Sequence, residues 1–583
     1  MVCQNNLIPY IKERTCNNCA LFCLLNLVFR EMTKNHILLF LLFFCLSVSA
    51  KERTDNDMKR IAMGVLKHHT ATRGVSSELT CISETGTYRI YGYEDCFAII
   101  SRDDNSDAVL GYSFTPFDQD NIPCGLKWWL SAIDATLQQS SINRARAITR
   151  STPVVVEPLM KSEWGQGDPY NLKCPTFQGK NGPVGCVATA MSQLMYYYKY
   201  PETASGSGYY TLGEASQKHT VTINSTYDWS QFKDKYTSSW FMTEAEKQNL
   251  SQLCYDAGVA THMNYASDGS GSQVQVAANA LGQVFNYDSL SIKCVYRDYC
   301  SEEEWLETIC NEFVNGRPII IGGQDKMYGG HAFILDGINE NGLIHVNWGW
   351  NGSSDGYYNI SDLNPSGILG SSSVMHFNFD QCIITNLKPS TSSSGGGAYR
   401  SLWVIDSEDF LVSDQMNGIL LSGPELFWQY NHLTFYGKIG VQFVDADGKE
   451  CFFATLLDTN SKNIGPVEGG HGYYVSYFNR IMSADLESLP AGTYTAYLAS
   501  KAIQDEHPQY ICYPGGNHNV YTITKAADGS LTIVKSGTSG ITSVKKTPAA
   551  YKNIYDLRGR NLGTDASALP KGIYVIDGKK VVK

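Results

Sequence analysis

Chemistry in this chain concentrates on Cys186, in the run Gly182-Pro183-Val184-Gly185-Cys186-Val187-Ala188-Thr189-Ala190. Small, turn-forming residues pass straight into a helical pattern. Val187, Met191, Leu194, Met195 and Tyr198 recur at the spacing of one apolar helix face, and Pro201 marks where the pattern stops. This puts Cys186 at a helix N-terminus, where unpaired N–H groups and the positive end of the dipole favour a thiolate. A thiolate is the nucleophile a cysteine hydrolase needs. The glycines before it leave room for a substrate backbone. For one thiol by itself, a buried structural cysteine is the commoner explanation.

A second element supplies a base. Gly329-Gly330-His331-Ala332-Phe333-Ile334-Leu335-Asp336-Gly337 is followed by a turn within Asn339–Gly342 and then by Leu343-Ile344-His345-Val346-Asn347-Trp348-Gly349-Trp350. The pattern predicts a β-hairpin, with His331 and Asn347 at the same end of adjacent strands. A neutral imidazole can take the thiol proton, and a side-chain amide oxygen can hold that imidazole in the required tautomer. Register is the open point. A two-residue turn at Glu340-Asn341 pairs Asn347 with Ile334, three positions from His331, so uniting the two calls for a bulge or wider loop. Other Cys/His combinations lack a nucleophile turn: His262 follows a helix-like stretch containing Cys254, and His68-His69 lies far upstream.

Residues from about 152 to 388 resemble the streptopain-like cysteine peptidases, a branch of the papain-like fold. The resemblance is carried by Gln166-Gly167-Asp168-Pro169-Tyr170-Asn171, Gly185-Cys186-Val187-Ala188-Thr189-Ala190, Gly330-His331-Ala332-Phe333, His345-Val346-Asn347-Trp348-Gly349-Trp350 and Ser354-Asp355-Gly356. Their order is the papain-like one, with Cys on an early helix and His then Asn roughly 130–150 residues on. The resemblance implies Cys186 as nucleophile, His331 as general base and acid, and Gln166 as the oxyanion-hole side chain beside the Cys186 backbone N–H. It also implies that Asn347 orients His331, that Trp348 shields that contact from water, and that no cofactor is needed. A hydrophobic residue two positions before the cut is the implied preference. Trp350 is left as structural, and His345 has no assigned role.

The elements around this site divide a chain of 583 residues into several expected units. The fold class expected is α+β: a papain-like catalytic domain with an α+β prodomain and C-terminal all-β modules. Residues 1–50 read as an N-terminal extension and signal peptide. Met32-Thr33-Lys34-Asn35-His36 is a short basic start, Ile37 to Leu46 is apolar, and Val48-Ser49-Ala50 ends in small residues, so Met32 is read as the true start. The apolar run is too short for an ordinary transmembrane helix. Residues 51–151 carry strand-like runs Phe97–Ser101 and Val109–Ser113 and a helix from Leu126 to Leu137. This unit resembles the inhibitory propeptide of streptopain-like enzymes. The polar stretch Ser140 to Ser151, with Arg144, Arg146 and Arg150, suits a cleavable junction, and maturation is expected near Thr152.

Behind the catalytic unit, 389–400 is a Ser/Gly linker by composition. Residues 401–535 alternate short strands, such as Phe435–Phe443, Tyr473–Tyr477 and Gly492–Leu498, and read as a β-sandwich. Residues 541–583 read as a small hairpin-rich unit with a basic end. They resemble the C-terminal sorting domains of type IX secretion in Bacteroidetes-type bacteria.

Composition narrows the function classes. The net charge of −11 comes from well-mixed acidic and basic residues, with no basic patch for nucleic acid. The 17 cysteines form no disulfide framework, and Cys16-x2-Cys19-x3-Cys23 has no partner pair at metal-ligand spacing. The reading is therefore a secreted or cell-surface cysteine endopeptidase made as a zymogen. Its expected partners are protein substrates, its own propeptide and secretion machinery, with no nucleic acid and no transmembrane segment in the mature form. One rival is a papain-fold amidase or transglutaminase-like enzyme. Another is an inactive surface binding protein, against which intact Gln166, Cys186, His331 and Asn347 argue.

Overall fold

The computed structural model describes residues 52–140, 154–360 and 379–390, apart from 74–77, 105, 290 and 326–328, together with parts of 403–535 and 554–582. The expected signal segment, the junction from 141 to 151 and most of the Ser/Gly linker lie outside the described residues.

The N-terminal unit begins with helix α1 (Asp55–Arg73), whose Met58, Ala62 and Leu66 line one buried face. Four antiparallel strands follow: β1 (Thr80–Glu84), β2 (Tyr88–Tyr93), β3 (Cys96–Ser101) and β4 (Val109–Ser113). Every residue of β3 is buried because both faces are covered. Cys96, Ala98 and Ile100 meet α1, while Phe97 and Ile99 point the opposite way, as period-2 alternation requires. Helix α2 (Cys124–Ser140) closes this unit.

The central unit opens with helix α3 (Cys186–Tyr198), buried along most of its length and ended by Lys199 in the left-handed region at φ 50°. A long hairpin, β5 (Thr203–Leu212) and β6 (Ala215–Thr226), precedes helices α4 (Glu244–Ala260) and α5 (Val274–Gln283). Thr243 and Glu246 form a reciprocal capping box at the start of α4. Then come β7 (Lys293–Tyr296), helix α6 (Glu302–Val314), β8 (Ile319–Asp325), β9 (Gly329–Ile338), β10 (Ile344–Asn347), β11 (Gly356–Tyr358) and β12 (Phe379–Thr385).

One sheet crosses the boundary between the two units. Its ten strands run β1-β2-β3-β4-β11-β10-β9-β8-β12-β7. The seam is β4 against β11, pairing Ser113 with Gly356 and Gly111 with Tyr358. Two cores flank the sheet. On one face α3, α4 and α5 pack with Ile320, Ala332, Ile334 and Ile384. On the other, Leu126, Trp128, Trp129 and Ile133 of α2 pack with Trp305, Phe333, Leu335, Val346 and Trp348. The N-terminal unit therefore shares both backbone pairing and apolar core with the unit that carries Cys186 and His331.

The C-terminal region is all-β. Strands Gly437–Val444, Glu450–Asp458, Gly492–Ala502, Val520–Lys525 and Leu531–Lys535 belong to a six-stranded antiparallel sheet. Phe427 and Ile511, from outside it, join the same core. Ile554–Asp556, Ile573–Ile576 and Lys579–Val582 form a separate three-stranded sheet. Among the described residues no helix is long and apolar enough to cross a membrane.

Candidate active site

Cys186 is the first residue of α3, preceded by Gly185 at φ 92°. The positive φ favours glycine there, and a Cβ at Gly185 would lie 2.6 Å from the Met263 sulfur and displace that side chain. The thiol is half-buried, and burial pushes its pKa up. Backbone groups of Ala332, Val187 and Cys186 itself pull it the other way without prevailing. The contact with Ala332 sets the thiol beside the strand position that follows His331. Gln166 is drawn to the same turn: its carbonyl accepts from the Val184 N–H at 2.9 Å. Its side-chain amide has no hydrogen-bond partner among the described residues.

His331 lies near the start of β9 and shares the face of Phe333, whose ring stacks 6.1 Å away. That face is covered by α2. His331 Nδ1 is 3.0 Å from the Cys124 sulfur, and Nε2 is 3.4 Å from the Trp348 carbonyl oxygen. Burial, with a smaller contribution from Cys186, holds the Cys124 thiol up at about 12, so it keeps its proton and donates to Nδ1. The remaining ring proton then sits on Nε2 and is donated to Trp348. Gly125 fits against the two rings: a Cβ there would lie 2.4 Å from His331 Cδ2 and 2.6 Å from Trp348 Cε3. Burial lowers the His331 pKa to about 4, against a weaker upward pull from the Trp348 carbonyl. Among the described residues no hydrogen bond joins His331 to Cys186 or to Asn347.

The hairpin register explains the second separation. Asn339 Oδ1 accepts from the N–H groups of Asn341 and Leu343, and this widens the turn. A bulge between Leu335 and Gly337 then takes up the extra residue. The two cancel, and Asn347 stands opposite Ile334. Ile334 faces α3 whereas Phe333 faces α2, so Asn347 and His331 project from opposite faces of the sheet.

Asn347 is fully engaged on the α3 side. Its Oδ1 accepts from Gln193 Nε2 at 3.1 Å and from the Gly349 N–H at 3.0 Å. Its Nδ2 donates to the Ser162 carbonyl at 2.6 Å and to Gln193 Oε1 at 3.2 Å. Trp348 is fully buried, donates its indole N–H to the Ser354 carbonyl at 3.0 Å, and packs on Phe333 and Tyr358. Its backbone N–H is held by Asp355 Oδ1 at 2.8 Å, and burial pushes that carboxyl up to about 7. His345 meets Asp336 at 2.6 Å; burial lowers its pKa, but the carboxylate outweighs burial and the net direction is up. Sequence reasoning missed Cys124, Gly125 and Gln193, and gave Asp355 no role beyond its place in a family motif. Of the three, only Gln193 left a signal, as the one long polar side chain of a largely apolar helix, seven positions after Cys186.

The His331 shift has a measurable consequence. In a full-length Cys186→Ala chain, His331 should titrate near 4, and removal of the segment before 152 should return it toward about 6.5. The covered state holds the neutral ring. Its grip is complete above pH 6.5 and weakens as pH falls toward 4, by on the order of 3 kcal/mol in total. Asp355, raised rather than lowered, contributes with opposite sign to global unfolding, so the titration is followed by NMR at the His331 ring itself. An ordinary midpoint in the full-length chain would contradict the cover.

Among the described residues no group of three or more His, Cys, Asp or Glu is arranged to hold a metal ion, and Cys124 and Cys186 are both free thiols. Residues 164–358 match the family model described as Peptidase C10 family. Thiol protease/hemagglutinin PrtT of Porphyromonas gingivalis is 30% identical over 325 residues, covering 52% of this chain and 37% of that protein. The chain thus spans little more than a third of that relative. Streptopain of Streptococcus pyogenes is 31% identical over 320 residues, covering 50% of this chain and 78% of streptopain. Among solved structures, a prointerpain A fragment of Prevotella intermedia is 33% identical and covers 53% of this chain and 97% of its own, with a TM-score of 0.47.

Proposed function

The chain belongs to the peptidase C10 family, and from that premise we propose that it is a cysteine endopeptidase made as a zymogen and exported from the cell. Cys186 attacks the scissile carbonyl. The Gln166 side chain and the Cys186 N–H stabilise the oxyanion. His331 protonates the leaving amine and then activates the water that releases the acyl-enzyme. Asn347 orients His331, and Trp348 screens that contact.

The observation that carries the zymogen reading is the hold of Cys124 on His331 Nδ1. It leaves the base neutral, on the α2 face, and its Nδ1 occupied by a thiol other than Cys186. The residues assigned to the site are present but not yet brought together. Maturation removes α2, and His331 then turns about the adjoining Gly329-Gly330 toward Cys186 and Asn347. Export rests on the leader-like residues 32–50, and a type IX route rests on the resemblance of 541–583 to sorting domains.

The test uses the full-length chain with casein as substrate, with and without reductant. New peptide N-termini should appear after a lag, and iodoacetamide should abolish them. Ammonia release or cross-linking without new N-termini would favour an amidase or transglutaminase-like enzyme instead.

A further inference from the structure

Gln193 lies on α3, two turns beyond Cys186 and on the same helix face. It is fully buried. Its amide forms a reciprocal pair with Asn347, at 3.1 and 3.2 Å, and its Oε1 also accepts from the Trp164 N–H at 3.2 Å. Trp164 stands two residues before Gln166. One side chain thus joins the nucleophile helix, the irregular segment leading to the oxyanion side chain, and the residue assigned to orient the base.

We propose that Gln193 is a positioning residue for catalysis, fixing the plane of the Asn347 amide so that its oxygen is presented to His331 once the covering segment leaves. This rests on the assignment of Asn347 as the orienter of His331. Asn347 Oδ1 already has both lone pairs engaged, by Gln193 and by Gly349. His331 therefore gains that oxygen only in exchange for one of these bonds. During the exchange the bonds from Asn347 Nδ2 to Ser162 and Gln193 keep the amide from rotating. Without Gln193, Nδ2 loses one acceptor and Oδ1 one donor, and the Trp164 N–H is left unpaired in a dry interior.

The test compares Gln193→Met, Gln193→Glu, Asn347→Ala and the Gln193→Met/Asn347→Ala pair. Each full-length chain is matured by trace wild-type enzyme, counted by thiol titration and checked for folding by Tm. Gln193→Met should lower kcat on the order of 100-fold with KM within about twofold, the scale of a small misplacement of a catalytic group. The double variant should be no worse than the poorer single variant, because Gln193 acts through Asn347. Gln193→Glu keeps the acceptor; its protonated form restores the donor to Asn347, so its kcat should rise as pH falls where wild-type kcat does not. This variant also serves if Gln193→Met does not fold. Wild-type kcat in Gln193→Met, losses that multiply in the double variant, or a wild-type pH profile for Gln193→Glu would overturn the role of Gln193. Wild-type kcat in Asn347→Ala would overturn the Asn347 assignment beneath it.

Discussion

Cys186→Ala should leave the chain full length and inert, with kcat lowered on the order of 10⁵–10⁶-fold. His331→Ala should cost about as much, and the double variant no more. Nucleophile and base act as one unit, so removing either removes the acyl-enzyme route and leaves only binding and oxyanion stabilisation. Cys186 is half-buried at a helix start whose packing is set by Val187, Met191 and Leu194, so losing its sulfur should hardly change Tm. The measurement is peptide hydrolysis per folded molecule, alongside a gel that follows self-processing. Trace wild-type enzyme added to Cys186→Ala should still cut it, which separates an uncleavable chain from one that cannot cleave. Activity within tenfold of wild type in either single variant would remove the mechanism.

Trp129→Ala should loosen the cover on the site by about 10²–10³-fold. Trp129 is fully buried, donates its indole N–H to the Asn359 carbonyl at 3.0 Å, and meets the Tyr358 ring edge-on at 5.0 Å. Truncating a buried tryptophan costs about 3–5 kcal/mol, and each 1.4 kcal/mol is tenfold in an equilibrium. The expected result is a shorter lag before activity and faster hydrogen exchange along α2 and at the β4–β11 seam. Since Trp129 also fills a core shared by both units, Gly125→Leu gives an independent reading. Its side chain would enter the space of His331 and Trp348, pushing the helix start away without emptying the core. An unchanged lag in both variants would refute α2 as the restraint.

The two variants act on a part of the molecule that local sequence patterns describe poorly. The strands at 97–101 and 109–113 and the helix around 126–137 are legible because apolar periodicity reports local burial. What the strands join is not. β4 continues into the edge strand β11 across more than two hundred residues of chain, and edge pairing leaves no local mark because any extended segment can offer the same N–H and C=O groups. Cys124 is likewise silent in sequence: a thiol at a helix start gains meaning only from the imidazole it faces.

Residue types and spacing alone marked the groups that could carry chemistry: a thiol at a helix start, an imidazole and an amide on one hairpin, and the family motifs around them. They left the hairpin register open; in the folded chain a wider turn and a bulge offset each other and keep Asn347 opposite Ile334. The connections come from packing between distant segments. Strand alternation sends His331 to the α2 face and Asn347 to the α3 face, and packing gives each a different partner, Cys124 for one and Gln193 for the other. Residue types and spacing are local properties of the chain. Which face is covered, and by what, depends on contacts between segments far apart in sequence, and those contacts hold this site in its unconnected form.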